Sequence, residues 1–239
     1  MAEEKLRVSL ITPTYNEREN IHLLAEEIFQ VVGAESDIDL ELIVVDDNSP
    51  DGTGEAAEAL KENFPVKVVH RAGKLGLGSA VMEGFGQSDR PYLGVIDADL
   101  SHDPSILPDL IRSLRDHDLA MGSRFGATSL VEKWAFHRRL ISVVGVGMAR
   151  ILTGAEDPLS GYFCLRREVL ADDFRLTSSG YKVLLEILMK GDHSSTHAIP
   201  FVFRNRQFSS SKLNWKEHAL FLKQILVFSL QRLFKPRRR

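Results

Sequence analysis

Apolar and polar positions along the first hundred residues change period in blocks. Arg7-Val-Ser-Leu-Ile-Thr12 reads as a short β-strand that Pro13 stops, because proline cannot donate to a ladder. From Glu19 to Val32 the apolar residues fall at Ile21, Leu24, Ala25, Ile28, Phe29 and Val32, the spacing of an amphipathic helix. Leu40-Glu-Leu-Ile-Val-Val45 is nearly all apolar, as a strand covered on both faces is, and ends in the turn-forming run Asp46-Asp-Asn-Ser-Pro-Asp-Gly-Thr53. Helix 54–63, strand Val66–His70, helix Gly78–Gln87 and strand Tyr92–Ile96 continue the alternation. The prediction is an α/β fold with a mostly parallel sheet flanked by helices.

Such sheets bind ligands outside the carboxyl ends of their strands. Polar clusters follow Thr12, Val45 and Ile96, so the three are expected to share one crevice. No repeat, low-complexity tract or linker breaks the chain before residue 200, which predicts one domain over 1–211 with residues 212–239 as an appendage.

Composition adds compartment and charge. With 44% apolar residues the 239-residue chain can bury one sizeable core. A single cysteine, Cys164, excludes an intramolecular disulfide, and the start Met1–Arg7 is charged and lacks an apolar signal-type stretch, so a cytosolic location is expected. The net charge of -3 conceals an asymmetry: residues 212–239 carry eight Lys/Arg and one Glu, leaving 22 basic against 32 acidic residues before them. An acidic body repels nucleic acid, and none is expected as a partner.

Asp97-Ala-Asp99 carries the sharpest chemistry. On an extended chain, side chains two apart share a side, so both carboxylates could reach one cation, with Mg2+ or Mn2+ as the hard metals that suit oxygen ligands. Such a metal takes its remaining ligands from substrate phosphates, which implies a nucleotide diphosphate. The plainer reading is that both aspartates cap a turn. Asp46-Asp47 is equally two-sided: a turn-former, or an acceptor for a nucleobase or ribose. Gly52-Thr-Gly-Glu-Ala-Ala57 matches G-x-G-x-x-A only formally, because Asp46–Asp51 separates it from the strand. No Walker lysine or G-x-S-x-G appears, so NTPase and hydrolase readings lose ground.

Pro13-Thr-Tyr-Asn-Glu17, Asp46–Thr53, Leu75-Gly-Leu-Gly-Ser-Ala80, Asp97-Ala-Asp-Leu-Ser-His102, Gly122-Ser-Arg124, Ser160-Gly161 and Ser211-Lys212-Leu213 together resemble the ordered motifs of the dolichol-phosphate mannosyltransferases of glycosyltransferase family 2. The resemblance spans roughly residues 7–215 and implies a GT-A (Rossmann-like) fold. It implies transfer of mannose from GDP-mannose to a polyprenyl (dolichyl) phosphate, metal-dependent and inverting. By the same resemblance Pro13, Tyr15, Glu17, Val45 and Asp47 line the nucleotide pocket, Asp97, Ala98 and Asp99 hold nucleotide and metal, and Arg124, Arg206 and Lys212 handle phosphate. Each basic residue alone also reads as a solvated surface cation. The chain departs at Ser209, where the motif usually has glycine; where φ > 0 is required, serine costs ~1 kcal/mol.

Other readings stay open: a UDP-sugar donor such as glucose or N-acetylhexosamine, a non-lipid acceptor, or a non-catalytic nucleotide- or lipid-binding relative. Arg138-Arg139 with Ser142 is a lesser candidate for lipid phosphate, and Glu186 for catalysis. In the tail, charges interrupt Trp215–Phe234, and the apolar run Ile225–Phe228 falls far short of the ~20 residues that span a bilayer. Trp215, Ala219, Leu222, Leu226, Leu230 and Leu233 form an apolar stripe, with Leu220, Phe221, Val227 and Phe228 projecting elsewhere. These residues either pack on the body or a partner, as a membrane subunit or a second copy, or lie at the cytoplasmic face of a membrane with Lys235 and Arg237–Arg239 on anionic lipid.

Overall fold

The computed structural model of the chain describes residues 4–125, 146–176, 182–204, 224–225 and 227–229. Its centre is a seven-stranded sheet. In chain order the elements are β1 (Leu6–Thr14), α1 (Arg18–Val32), β2 (Ile38–Asp46), α2 (Thr53–Ala59), β3 (Val66–His70), α3 (Leu77–Gly86), β4 (Tyr92–Val95), α4 (Leu107–Ser113) and β5 (Leu119–Ser123). They continue with α5 (146–153), β6 (Phe163–Arg166), α6 (Val183–Lys190) and β7 (Thr196–Pro200). The strand order is β3-β2-β1-β4-β6-β5-β7. Only β6 opposes its neighbours; β1 to β4 run parallel, as do β5 and β7.

Side-chain alternation explains the unbroken apolar run of β2. Leu40, Leu42 and Val44 enter the core under α1, α2 and α4, while Ile43 and Val45 enter the second core under α3 and α6. The strand therefore has no wet face, and each fully buried aliphatic contributes ~1.5–3 kcal/mol. On the second face α3 lies close to the sheet because of Gly84. A Cβ there would stand 2.6 Å from Ile11 Cγ2. Ile11 is β-branched and held in a central strand, so it cannot turn away. Gly84→Ala should cost about 1–3 kcal/mol although alanine favours the helix by ~1 kcal/mol, read as a lower denaturation midpoint at unchanged slope.

Several boundaries differ from the sequence pattern. β1 runs through Pro13 instead of stopping there. Thr14 O accepts from Asp47 N on the β2 side, and Ile11 O from Ile96 N on the β4 side, so residue 13 also faces β4. The β1–β4 ladder ends at Ile11–Val95, and the N–H that proline lacks has no partner to serve. The helix expected over 54–63 is α-helical only to Ala59 and tightens into a 3₁₀ turn over Leu60–Glu62.

Of the tail, Ile225 and Phe228 are buried against Val146, Ala149 and Leu152 of α5 and Leu185 of α6. Phe228 thus packs on the body, although the predicted stripe leaves it outside, while Val227 is exposed. Trp215, Leu222, Leu230 and the basic end lie outside the described residues, as do Arg138, Arg139 and Ser142. Among the described residues no helix is long and apolar enough to cross a membrane.

Candidate active site

The chain turns back between β1 and β4: β2 and β3 lie on one side of β1, and β4 on the other. That reversal sets the carboxyl ends of β1, β2 and β4 side by side, the place where open α/β sheets form a ligand crevice and where the three polar clusters were expected to converge. Backbone strain marks the same place. Asn16, Asn48 and Leu100, in the loops leaving those strands, have φ of 58°, 57° and 61°. Asparagine tolerates this region; for leucine it is an uncommon conformation costing ~1–2 kcal/mol, which the surrounding contacts must offset.

The first two loops are tied together. Asn16 N donates to Ser49 Oγ at 2.9 Å, Glu17 N to Thr53 Oγ1 at 2.9 Å, and Arg18 N to Asp51 Oδ2 at 3.2 Å. Burial alone would raise the Asp51 pKa, but hydrogen bonds from Thr53 and Arg18 more than offset it and hold the carboxyl below its usual value. Asp46 serves the turn: Oδ1 accepts from Thr14 Oγ1 and Ser49 Oγ, and Oδ2 from Ser49 N. Pro13, Tyr15 and Glu17 sit part-exposed along the β1 side. The Lys74 ammonium lies 4.0 Å over the Tyr15 ring, and Glu17 Oε2 accepts from Asn20 Nδ2 at 2.7 Å.

Asp47 is committed internally. Its Oδ1 pairs with Arg71 Nη1, and its Oδ2 accepts from Leu75 N and Gly76 N, each at 3.1 Å. Arg71, itself buried, also donates to Glu83 and Ser79 at 2.8 Å. The carboxylate expected to line a nucleotide pocket thus anchors the wall of the crevice, the loop between β3 and α3. Val45 has no exposed surface, and its side chain packs with Ile11, Ile43 and Val81 beneath the strand ends.

The chain has left β4 before Asp97, so strand alternation does not govern Asp97-Ala-Asp99. Asp99 is buried and Oδ1 accepts from Ser101 N at 3.1 Å and Ser101 Oγ at 2.5 Å, capping the turn, and Ala98 is buried beside it. Asp97 keeps a third of its side chain exposed. Its N–H donates to His102 Nδ1 at 3.2 Å, which puts the imidazole proton on Nε2, 3.9 Å from Asp97 Oδ2. His102 is held between Tyr162 at 5.2 Å, Phe201 at 5.7 Å and Phe203 at 5.9 Å. Gly161 lies against the Asp97 carboxylate: a Cβ there would meet Oδ2 at 3.0 Å and His102 Cε1 at 3.2 Å.

Beyond β5, Arg124 forks onto Asp157, with Nε to Oδ2 and Nη2 to Oδ1 each at 2.8 Å. Burial opposes its charge, but Asp157, with Asp97 behind it, more than offsets that and raises its pKa. Arg204 N donates to Ser101 O at 3.0 Å, and the guanidinium grips Glu27 and Asp103. The chain therefore enters residues 205–223 beside the Asp99 turn. Arg206, Ser209 and Lys212 lie in that stretch, outside the described residues.

The lesser candidate Glu186, and the single cysteine, have ordinary packing roles. Glu186 is buried and accepts from Lys190 Nζ at 2.6 Å and Gln224 Nε2 at 2.9 Å. Cys164 is buried within the sheet, which pushes its thiol up to about 12 and makes it inert. Arg71 and Asp157 gave no sequence signal, since each works through a partner 24 or 33 residues away. His102 stands within the Asp97–His102 motif and was legible as a position, not as a support.

Among the described residues no three His, Cys, Asp or Glu side chains gather as metal ligands. The carboxylates of Asp97 and Asp99 are hard donors of the kind Mg2+ or Mn2+ takes when phosphates and water complete its shell. The donor set fits such an ion.

The model of the glycosyl transferase family 2 matches residues 9–174. A dolichol-phosphate mannosyltransferase of Pyrococcus furiosus is 41% identical over 226 residues, 92% of this chain and 63% of its own length, so the chain spans less than two thirds of that relative. One from Saccharomyces cerevisiae is 37% identical over 92% of this chain and 86% of its own. Among solved structures, mannosyl-3-phosphoglycerate synthase from Rubrobacter xylanophilus superposes with a TM-score of 0.70 at 17% identity, over 98% of this chain and 77% of that one. Glucosyl-3-phosphoglycerate synthase from Mycobacterium tuberculosis, in complex with Mn2+, UDP and glucosyl-3-phosphoglycerate, gives 0.64 at 23%, over 97% and 81%. At these identities the structural likeness is one of fold.

Proposed function

The chain belongs to glycosyltransferase family 2 and is a glycosyltransferase; we propose that it transfers mannose from GDP-mannose to a polyprenyl (dolichyl) phosphate, with inversion. The observation that carries this reading is the identity of 37–41%, over 92% of the chain, to relatives bearing that activity in their names. The crevice supports it, because its residues divide into those suited to a nucleotide and those suited to phosphate. Pro13, Tyr15 and Glu17 on the β1 side would take the nucleoside, with Asp47 fixing the opposite wall through Leu75 and Gly76.

Asp97 and Asp99 would hold Mg2+ or Mn2+, which when bound neutralises the departing diphosphate. Arg124, with Arg206 and Lys212 from the following loop, would screen the phosphate that attacks. A phosphate monoester carries charge near neutral pH, its second pKa being ~6, so the site needs no strong general base. The chain's own task is to bring two anions together in line and to exclude water. His102 and Gly161 serve that task by fixing where the Asp97 carboxylate stands. The acceptor is a lipid, and the basic tail suits peripheral contact at the cytoplasmic face of a membrane, alone or with a membrane subunit.

Radiolabelled transfer by purified protein with Mg2+ or Mn2+ and a short polyprenyl phosphate tests the reading. Organic-extractable label from GDP-mannose, and not from UDP-glucose or UDP-N-acetylglucosamine, is expected. Label from a UDP-sugar replaces the donor; nucleotide binding without transfer to any lipid phosphate, with membranes supplied, turns the protein into a binding relative.

A further inference from the structure

Arg124 is held in an unusual way for a cation that meets substrate. Three of its donors converge on one carboxylate: backbone N and Nε on Asp157 Oδ2, at 3.2 and 2.8 Å, and Nη2 on Oδ1 at 2.8 Å. Asp157 has no exposed surface, whereas the Arg124 side chain keeps a small exposed part. A fork made through Nε and Nη2 is side-on, and it leaves the Nη1 edge pointing away from the carboxylate. Among the described residues Nη1 takes no hydrogen-bond partner, and the nearby acidic group that acts on the guanidinium besides Asp157 is Asp97. The segment that grips Arg124 through Asp157 also carries Gly161 against Asp97, so the guanidinium stands on the Asp97 side of the site.

Backbone geometry makes the arrangement stiff. Asp157 lies three residues before Ser160, whose N donates to Asp157 O at 3.1 Å, and Gly161 follows against Asp97. The segment 157–161 thus touches both Arg124 and Asp97. Buried ion pairs add little net stability on average, because desolvation consumes most of the attraction, so orientation is the better account of this one.

We propose that Asp157 is a positioning residue for the transfer reaction: it acts through Arg124, holding the guanidinium side-on so that its Nη1 edge meets a phosphate oxyanion. The proposal rests on the reading of this crevice as a phosphate-transfer site. The oxyanion is either in the donor's diphosphate or in the acceptor's monophosphate, and the test separates them.

Asp157→Asn keeps shape and one acceptor oxygen but turns an N–H of the amide toward the arginine fork, freeing the guanidinium to rotate. Four proteins are compared: wild type, Asp157→Asn, Arg124→Met and the double variant. In Asp157→Asn, kcat/KM should fall about 30–100-fold. A matching rise in the Kd for GDP assigns the donor phosphates; a rise in KM for polyprenyl phosphate at unchanged GDP affinity assigns the acceptor. In the Arg124→Met background, Asp157→Asn should change kcat/KM by no more than about twofold, because a residue acting only through Arg124 has nothing left to act on. A merely structural role would leave the two losses multiplicative.

Arg124→Lys, which keeps the charge and loses the fork, should show a similar loss and keeps the test open if Asp157→Asn folds poorly. Binding of inorganic phosphate, followed by 31P NMR, reads the site independently of turnover and should weaken at least tenfold in Asp157→Asn. If wild type binds phosphate but transfers no sugar, the functional reading fails, and weaker phosphate binding in Asp157→Asn still shows that Asp157 positions Arg124 for an oxyanion. Wild-type kinetics and phosphate binding in Asp157→Asn, or an undiminished effect in the Arg124→Met background, overturns it.

Discussion

Asp97→Asn should lower sugar transfer about 10³-fold and leave the unfolding transition where it is. The loss corresponds to roughly 4 kcal/mol of transition-state stabilisation, the scale expected when a charged group facing the developing diphosphate is neutralised. Little stability is at risk, because the tie that orders this residue runs through its backbone N–H to His102 Nδ1, and asparagine keeps that bond. Its carboxylate stands part-exposed against Gly161, with His102 Nε2 as far as 3.9 Å away. Asp99→Ala should abolish transfer as well, but for two reasons that separate in measurement. The Asp99 carboxylate caps Ser101 N and Oγ and so supports Leu100 at its φ of 61°, and losing that cap costs about 1–2 kcal/mol on top of the catalytic loss. Asp97→Asn with a rate within tenfold of wild type would remove the aspartate from the reaction; a large drop in its unfolding midpoint would make it a structural residue.

The contrast between these aspartates shows where sequence reading stops. Two carboxylates two apart suggest a shared cation, yet one is buried and caps a turn while the other keeps a third of its side chain exposed, and nothing in the tripeptide says which. The β2 segment Leu40–Val45 was legible because a strand covered on both faces leaves a continuous apolar trace, and the helix at 18–32 because its period repeats four times. Beyond residue 100 the trace thins. β5, β6 and β7 are as short as β3 and β4, which were legible inside a regular strand–helix alternation, but the run of parallel strands breaks after β5, where β6 enters the sheet antiparallel between β4 and β5. That the three strand ends lie side by side was legible from the alternation alone, since parallel neighbours end together. The site's supports, Arg71 and Asp157, are pairings at long range, and periodicity carries no information about them. Val45 shows what alternation adds: beside the strand ends by sequence, its side chain enters the second core.

Arg71 carries the largest stability effect expected in the molecule. Arg71→Met should cost about 3–5 kcal/mol, because it leaves the buried carboxylate of Asp47 without its counter-charge. Methionine replaces much of the stem, so the loss is electrostatic rather than one of volume. What remains for Asp47 is two amide donors, Leu75 N and Gly76 N, which satisfy hydrogen bonds on one oxygen but do not neutralise the charge. In a chain of this size such a loss lowers the melting temperature by roughly 10 °C. Glu83 loses a partner too, but half-exposed it can turn to water, so its share is small. The decisive comparison is Arg71→Met with Asp47→Asn: neutralising the stranded aspartate should return at least half of the lost stability while keeping both amide bonds. Losses that simply add would mean that Arg71 stabilises through packing alone. The same double variant then reads function apart from folding. Asp47→Asn leaves a side-chain carbonyl oxygen at this position to pin the loop at 71–77, while the charge network is gone. Any remaining fall in nucleotide affinity then belongs to the Asp47 charge and to the loop at 71–77 that carries Lys74 over Tyr15, and not to loss of the fold.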